Sequence, residues 1–98
     1  IHFSTKTVTG TENAIMVAVL AKGTSKITNA AAEPEVIDLI RFLNSIGAMI
    51  SWENEHDLKI TGVESLAGCD SFPIIGDRIE AGTFLVATFM TKGSITLR

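Results

Sequence analysis

Two nearly uniform apolar runs constrain this chain more than anything else in it. Ala14-Ile15-Met16-Val17-Ala18-Val19-Leu20-Ala21 and Ala81–Met90 each follow a capping signature and precede a Lys-Gly pair. Thr9 with Glu12, and Asp77 with Glu80, place a capping side chain three positions ahead of a glutamate that can bond back to it. Lys22-Gly23 and Lys92-Gly93 supply the cation and the glycine that favour a helix C-terminus. Both runs therefore read as helices. A helix without a polar face must be covered on most sides, and a chain of 98 residues has little to cover two of them with. Neither run approaches the ~20 residues of a membrane span, so protein is the expected cover, and no membrane partner is expected.

The segments between the runs are mixed. Phe3–Thr9 is β-branched and alternating, as is Thr24–Thr28, and both read as strands. Glu33-Pro34-Glu35 suits a helix start. Val36, Leu39, Ile40, Leu43 and Ile46 then recur at three and four, with Asp38, Arg41 and Asn44 on the opposite face. Ala48–Trp52 and Leu58–Gly62 flank a polar stretch and predict a hairpin, Leu58, Ile60 and Val63 facing the core and Lys59 and Thr61 facing out. Ser71–Ile75 and Ser94–Arg98 read as further extended pieces. The order is a βαβαββ unit followed by the first helix and strand of another. The echo between Ala21–Thr28 and Thr91–Leu97 agrees with a second copy beginning there. The fold class is α/β, helices against a sheet. The chain begins at Ile1 rather than Met and stops at Arg98 directly after a strand-like run, so the expectation is part of a longer protein.

Composition narrows the chemistry. Eight Lys and Arg against 11 Asp and Glu give a formal charge of −3, which argues against nucleic acid as the main partner. No signal peptide is read, and the lone Cys69 cannot form an intrachain disulfide, so a reducing compartment fits. Ala67-Gly68-Cys69-Asp70-Ser71 offers no base or cation to activate that thiol, and an inert loop cysteine is the expectation. His2 and His56 lack partners at metal-ligand spacing and read as surface histidines. Glu53, Glu55 and Asp57 lack the glycine of a cation-binding loop and read as a solvated hairpin tip. No metal and no cofactor are expected. Glu33 and Glu35 read first as acids favouring a helix N-terminus, with an acid/base pair as the alternative. Lys6, among Thr5, Thr7 and Thr9 and just before Gly10-Thr11, has two even readings: an anion contact at a helix start, or an outward lysine on a Thr-rich strand.

At these residues the sequence resembles a known family. Val8-Thr9-Gly10-Thr11-Glu12-Asn13, Asn29-Ala30-Ala31 with Glu33-Pro34-Glu35-Val36, Phe42-Leu43-Asn44 with Gly47-Ala48, and above all Asp77-Arg78-Ile79-Glu80-Ala81-Gly82-Thr83-Phe84-Leu85-Val86-Ala87 are similar to the UDP-N-acetylglucosamine 1-carboxyvinyltransferases, over essentially the whole chain. The shikimate-pathway enolpyruvyl transferases share the fold but not these strings. The resemblance implies a cytoplasmic bacterial transferase of peptidoglycan synthesis. It moves enolpyruvyl from phosphoenolpyruvate to the 3-hydroxyl of UDP-N-acetylglucosamine. The implied fold is an inside-out α/β barrel of two domains, each of three βαβαββ units around buried helices. Residues 1–76 would be the last unit of the first domain and 77–98 the start of the second, with Gly76 and Asp77 at the hinge.

By the same resemblance Thr5, Lys6, Thr7, Val8 and Thr9 contact the UDP-sugar, which favours the anion reading of Lys6. Glu33 and Glu35 take a positioning role near the cleft between domains. The family's catalytic cysteine and aspartate and its phosphoenolpyruvate-binding cations lie elsewhere, so no catalytic residue is expected in this chain, and none of its turnover. Ala32 stands where an arginine is usual and Gly76 where a proline is usual, the second loosening the hinge. A part of such an enzyme should expose an apolar face or hide it by self-association. The alternatives are a stand-alone structural or UDP-sugar-binding module of one such unit, and a different enolpyruvyl transferase.

Overall fold

The computed structural model describes all 98 residues. Its first helix starts two residues before the position that the capping box implied. Thr7 is extended (φ −139°, ψ 124°) and its Oγ1 accepts the Gly10 N–H at 3.1 Å, so α1 runs Val8–Ala18. Thr9 is therefore inside the helix rather than capping it. The earlier start places Thr11, Ile15 and Ala18 on one inward stripe, at spacings of four and three. The end also comes early. Val63 donates its N–H to the Val19 carbonyl at 2.9 Å, and Gly23 (φ +86°) turns the chain into β1 (Thr24–Ile27) instead of closing the helix.

Because Thr7 diverts the chain, the strand expected over Phe3–Thr9 shrinks to one parallel bridge, His2 beside Thr28. The Thr28 N–H donates to Ile1 at 2.9 Å, and the Phe3 N–H to Thr28 at 3.2 Å. α2 (Pro34–Ser45) begins with proline at its first turn, as expected. β2 (Met49–Trp52) and β3 (Leu58–Thr61) form the hairpin, and the sheet order is β1-β3-β2, antiparallel throughout. Ile60 lies between Ser25 and Ile50, and Leu58 between Ile27 and Trp52. With the N-terminal bridge counted, the connectivity is the βαβαββ unit.

One core holds the unit. Ile15, Ile27, Val36, Leu58 and Ile60 are fully buried between the helices and one sheet face, while Lys59 points away. Val63 is half-buried at the edge. The outer-face assignment of Asp38 is corrected: it is buried, because the chain after β3 crosses back over α2.

The last helix, α3 (Arg78–Thr91), is capped by Asp77 as expected, and Lys92 closes it in the left-handed conformation (φ +53°). Yet no α3 residue is buried; Phe89 is 88% and Met90 77% exposed. α1 is likewise covered on one side only, with Met16 and Val17 open. The radius of gyration is 16.7 Å, against about 13 Å for a compact chain of this length. The expected strands at Ser71–Ile75 and Ser94–Arg98 are not formed. A strand needs a ladder partner, and this chain offers neither segment one. No helix is long and apolar enough to cross a membrane.

Candidate functional site

Three loops converge beyond the end of β1: the segment before α1, the β1–α2 connection and the hairpin tip. Asn29, in the left-handed conformation (φ +56°), organises them. Its side-chain amide donates to the Phe3 carbonyl at 2.8 Å, and its backbone N–H donates to Asp57 Oδ1 at 3.3 Å. The Ala30 N–H adds a bond to the His56 carbonyl at 2.8 Å. One turn into α1, buried Thr11 donates its hydroxyl to the Thr7 carbonyl at 2.7 Å and accepts the Ala31 N–H at 3.0 Å. Thr11 thus ties the Thr5–Thr9 segment to the connection leading to Glu33.

The hairpin tip is exposed from Glu53 to His56, as expected, and it is also tied down. Asp57 Oδ2 accepts the Asn54 side-chain amide at 2.8 Å, and Lys26 pairs with Glu53 Oε2 at 2.8 Å. The Asn54 bond, followed by the Asn29 N–H, holds the Asp57 carboxyl below its ordinary value of 3.8. A depressed carboxyl stabilises the fold above its unfolded pKa, and that contribution is lost as pH falls through the folded one. The anchor is therefore intact at neutral pH and should release only below about pH 4. The Asn29 amide proton resonance should report this as one step in that range; a step above pH 5 would contradict the assignment.

Of the expected site residues, Lys6 gains a partner that the sequence did not suggest. Its Nζ lies 3.0 Å from His56 Nε2 and 3.3 Å from Nδ1, against the edge of the imidazole. Thr5 and Thr9 are exposed. Thr7 spends its Oγ1 on the helix cap. The N–H groups of Val8 and Thr9, in the first turn of α1, have no acceptor within the chain, the usual state of a helix start open to solvent or an anion.

Glu33 and Glu35 stand together at the α2 N-terminus but not against Lys6. Glu35 pairs with Arg78, Oε1 to Nη2 at 3.1 Å. Its own backbone bond and then Arg78 hold its carboxyl below the ordinary 4.5. Glu33 occupies the N-cap position without capping, and its Oε2 is buried with no partner. Gly76 has open space where a Cβ would be, and Asp77 Oδ1 accepts the Ile79 and Glu80 N–H groups at 2.8 and 3.2 Å. Cys69 is free and exposed.

The architecture is that of the enolpyruvyl transferases. The crystal structure of the enolpyruvyl transferase NikO from Streptomyces tendae superposes with a TM-score of 0.73 and 26% identity, over 82% of this chain and 19% of that one. The chain belongs to the EPSP synthase (3-phosphoshikimate 1-carboxyvinyltransferase) family, whose pattern it matches over residues 1–98. Among curated relatives, UDP-N-acetylglucosamine 1-carboxyvinyltransferase 1 of Legionella pneumophila is 57% identical over all 98 residues, which make up 19% of that protein. The Coxiella burnetii UDP-N-acetylglucosamine 1-carboxyvinyltransferase is 55% identical over 94% of this chain and 21% of its own length. The chain thus spans about a fifth of the length of these relatives.

Proposed function

We propose that this chain is one unit of a transferase that moves enolpyruvyl from phosphoenolpyruvate to UDP-N-acetylglucosamine, and that it carries part of the UDP-sugar contact. The observation that carries the reading is the 57% identity running through all 98 residues. In the reaction the sugar 3-hydroxyl oxygen bonds to C2 of the enolpyruvyl group, the C2–O bond to phosphate breaks, and phosphate leaves with the hydroxyl proton taken up elsewhere. The residues for those steps lie outside this chain. The proposed setting is the bacterial cytoplasm, in peptidoglycan synthesis.

The chain's own part is recognition. Lys6 meets one side chain, His56, and keeps donors free for a nucleotide oxygen. The unpartnered Val8 and Thr9 N–H groups face the same helix start. Thr7 acts through the cap, fixing where those groups point. The orphaned Glu33 oxygen calls for a donor, since a buried acceptor without one is costly; a substrate or a group across the cleft would supply it. The proposed division is residues 1–76 in the first domain and 77–98 in the second. The bare α3 surface supports it, because a helix with this composition is stable only under cover.

The test is turnover. Protein from the full reading frame should release phosphate from phosphoenolpyruvate with UDP-N-acetylglucosamine and not with shikimate 3-phosphate. The 98-residue chain alone should release none. Turnover with shikimate 3-phosphate, or by the short chain, would overturn the reading.

A further inference from the structure

We infer that residues 71–76 form a strap latched to the outer face of α2 by Asp38, and that the latch sets the direction in which α3 leaves the unit. The side chain of Asp38 is only 8% exposed, a costly place for a carboxylate unless it is bonded. Its Oδ2 accepts the Ile75 N–H at 3.2 Å, and its Oδ1 faces Arg41 Nη1 at 3.4 Å. One turn earlier on the same stripe, Glu35 takes Arg78. One turn later, Phe42 meets Phe72 edge-on at 5.3 Å, and the Arg41 guanidinium sits 5.9 Å from the same ring. Three successive turns of α2 thus hold three successive points of the chain from Phe72 to Arg78.

Between those points the strap stands clear of the helix. A cleft of about 460 Å³ opens on the Phe42 and Phe72 side of Asp38, and one of about 770 Å³ on the Pro34 and Arg78 side. Beyond the strap, α3 buries nothing that could fix its orientation. The Glu35–Arg78 pair is exposed on both sides, and such pairs contribute little. The bond from Ile75 to a buried carboxylate is the stronger anchor. The inference concerns the mechanics of the chain and does not depend on the reaction proposed above.

Amide exchange on the 98-residue chain tests it, with residual dipolar couplings to give the angle between α2 and α3. Asp38→Ala removes the acceptor and suits a helix. It should speed Ile75 exchange by about tenfold or more, leave the core Ile60 amide unchanged, and free α3 from a fixed angle to α2. Unchanged Ile75 exchange, or an unchanged fixed angle, would overturn the inference. Should Ile60 also lose protection, the near-isosteric Asp38→Asn replaces it as the test: a smaller acceleration at Ile75 alone supports the latch, and none refutes it.

Discussion

Gly62→Ala is expected to destabilise the chain by about 3 kcal/mol. Gly62 follows β3 and passes directly over the turn after α1. A Cβ there would land on the Ala21 carbonyl oxygen, with the carbonyl carbon 2.7 Å away. The obstacle is backbone, so no side-chain rotation relieves it. Two bonds depend on this close approach: Gly62 N–H to Gly23 at 2.8 Å, and Val63 N–H to Val19 at 2.9 Å. The second satisfies a carbonyl at the end of α1, so moving the strand away reopens a helix terminus as well. Urea unfolding should show a lower midpoint at an unchanged slope. A loss below about 1 kcal/mol would mean the contact is not as close as described.

Thr11→Val is expected to cost about 2 kcal/mol although it preserves shape. The hydroxyl is fully buried and carries two bonds, one to the Thr7 carbonyl and one from the Ala31 N–H. Valine leaves the Ala31 donor without a partner where water does not reach, and that desolvation dominates. Because Thr11 joins the Thr5–Thr9 segment to the connection before Glu33, the loss should be local as well as global. Ala31 exchange should accelerate more than exchange at Leu58. A stability change within about 0.5 kcal/mol of zero, the range of uneventful surface changes, would contradict the role.

The unit was legible where local chemistry and long-range packing agree. Pro34 with its acidic neighbours, the Val36-Ile40-Leu43 stripe, the Leu58-Lys59-Ile60 alternation and the Asp77 cap all stand where the pattern placed them. It misled where two local signals compete. Thr7 and Thr9 are both adequate caps, and the glutamate at position 12 favours Thr9 by pattern. Packing decides for Thr7, because only that start brings Thr11 beneath Ala31. Periodicity along α2 puts Asp38 on the outer face because it cannot register a strap arriving from 37 positions away. The polar hairpin tip is exposed as its pattern implies, but its anchors, Asn29 and Lys26, are too distant in sequence for that pattern to register. Uniform apolarity implies burial for both helices, but burial belongs to whatever surrounds them, and α3 stands bare here.

That contrast also bears on the site. The resemblance points to Lys6, and the structure adds His56 beside its Nζ and two free N–H groups at the helix start. The proposal that this segment reads the UDP-sugar is tested most directly by Lys6→Ala in protein from the full reading frame. Loss of one charge-assisted bond should raise the KM for UDP-N-acetylglucosamine about tenfold or more. The KM for phosphoenolpyruvate should stay unchanged. An unaltered KM for the UDP-sugar, or a rise confined to phosphoenolpyruvate, would contradict the account.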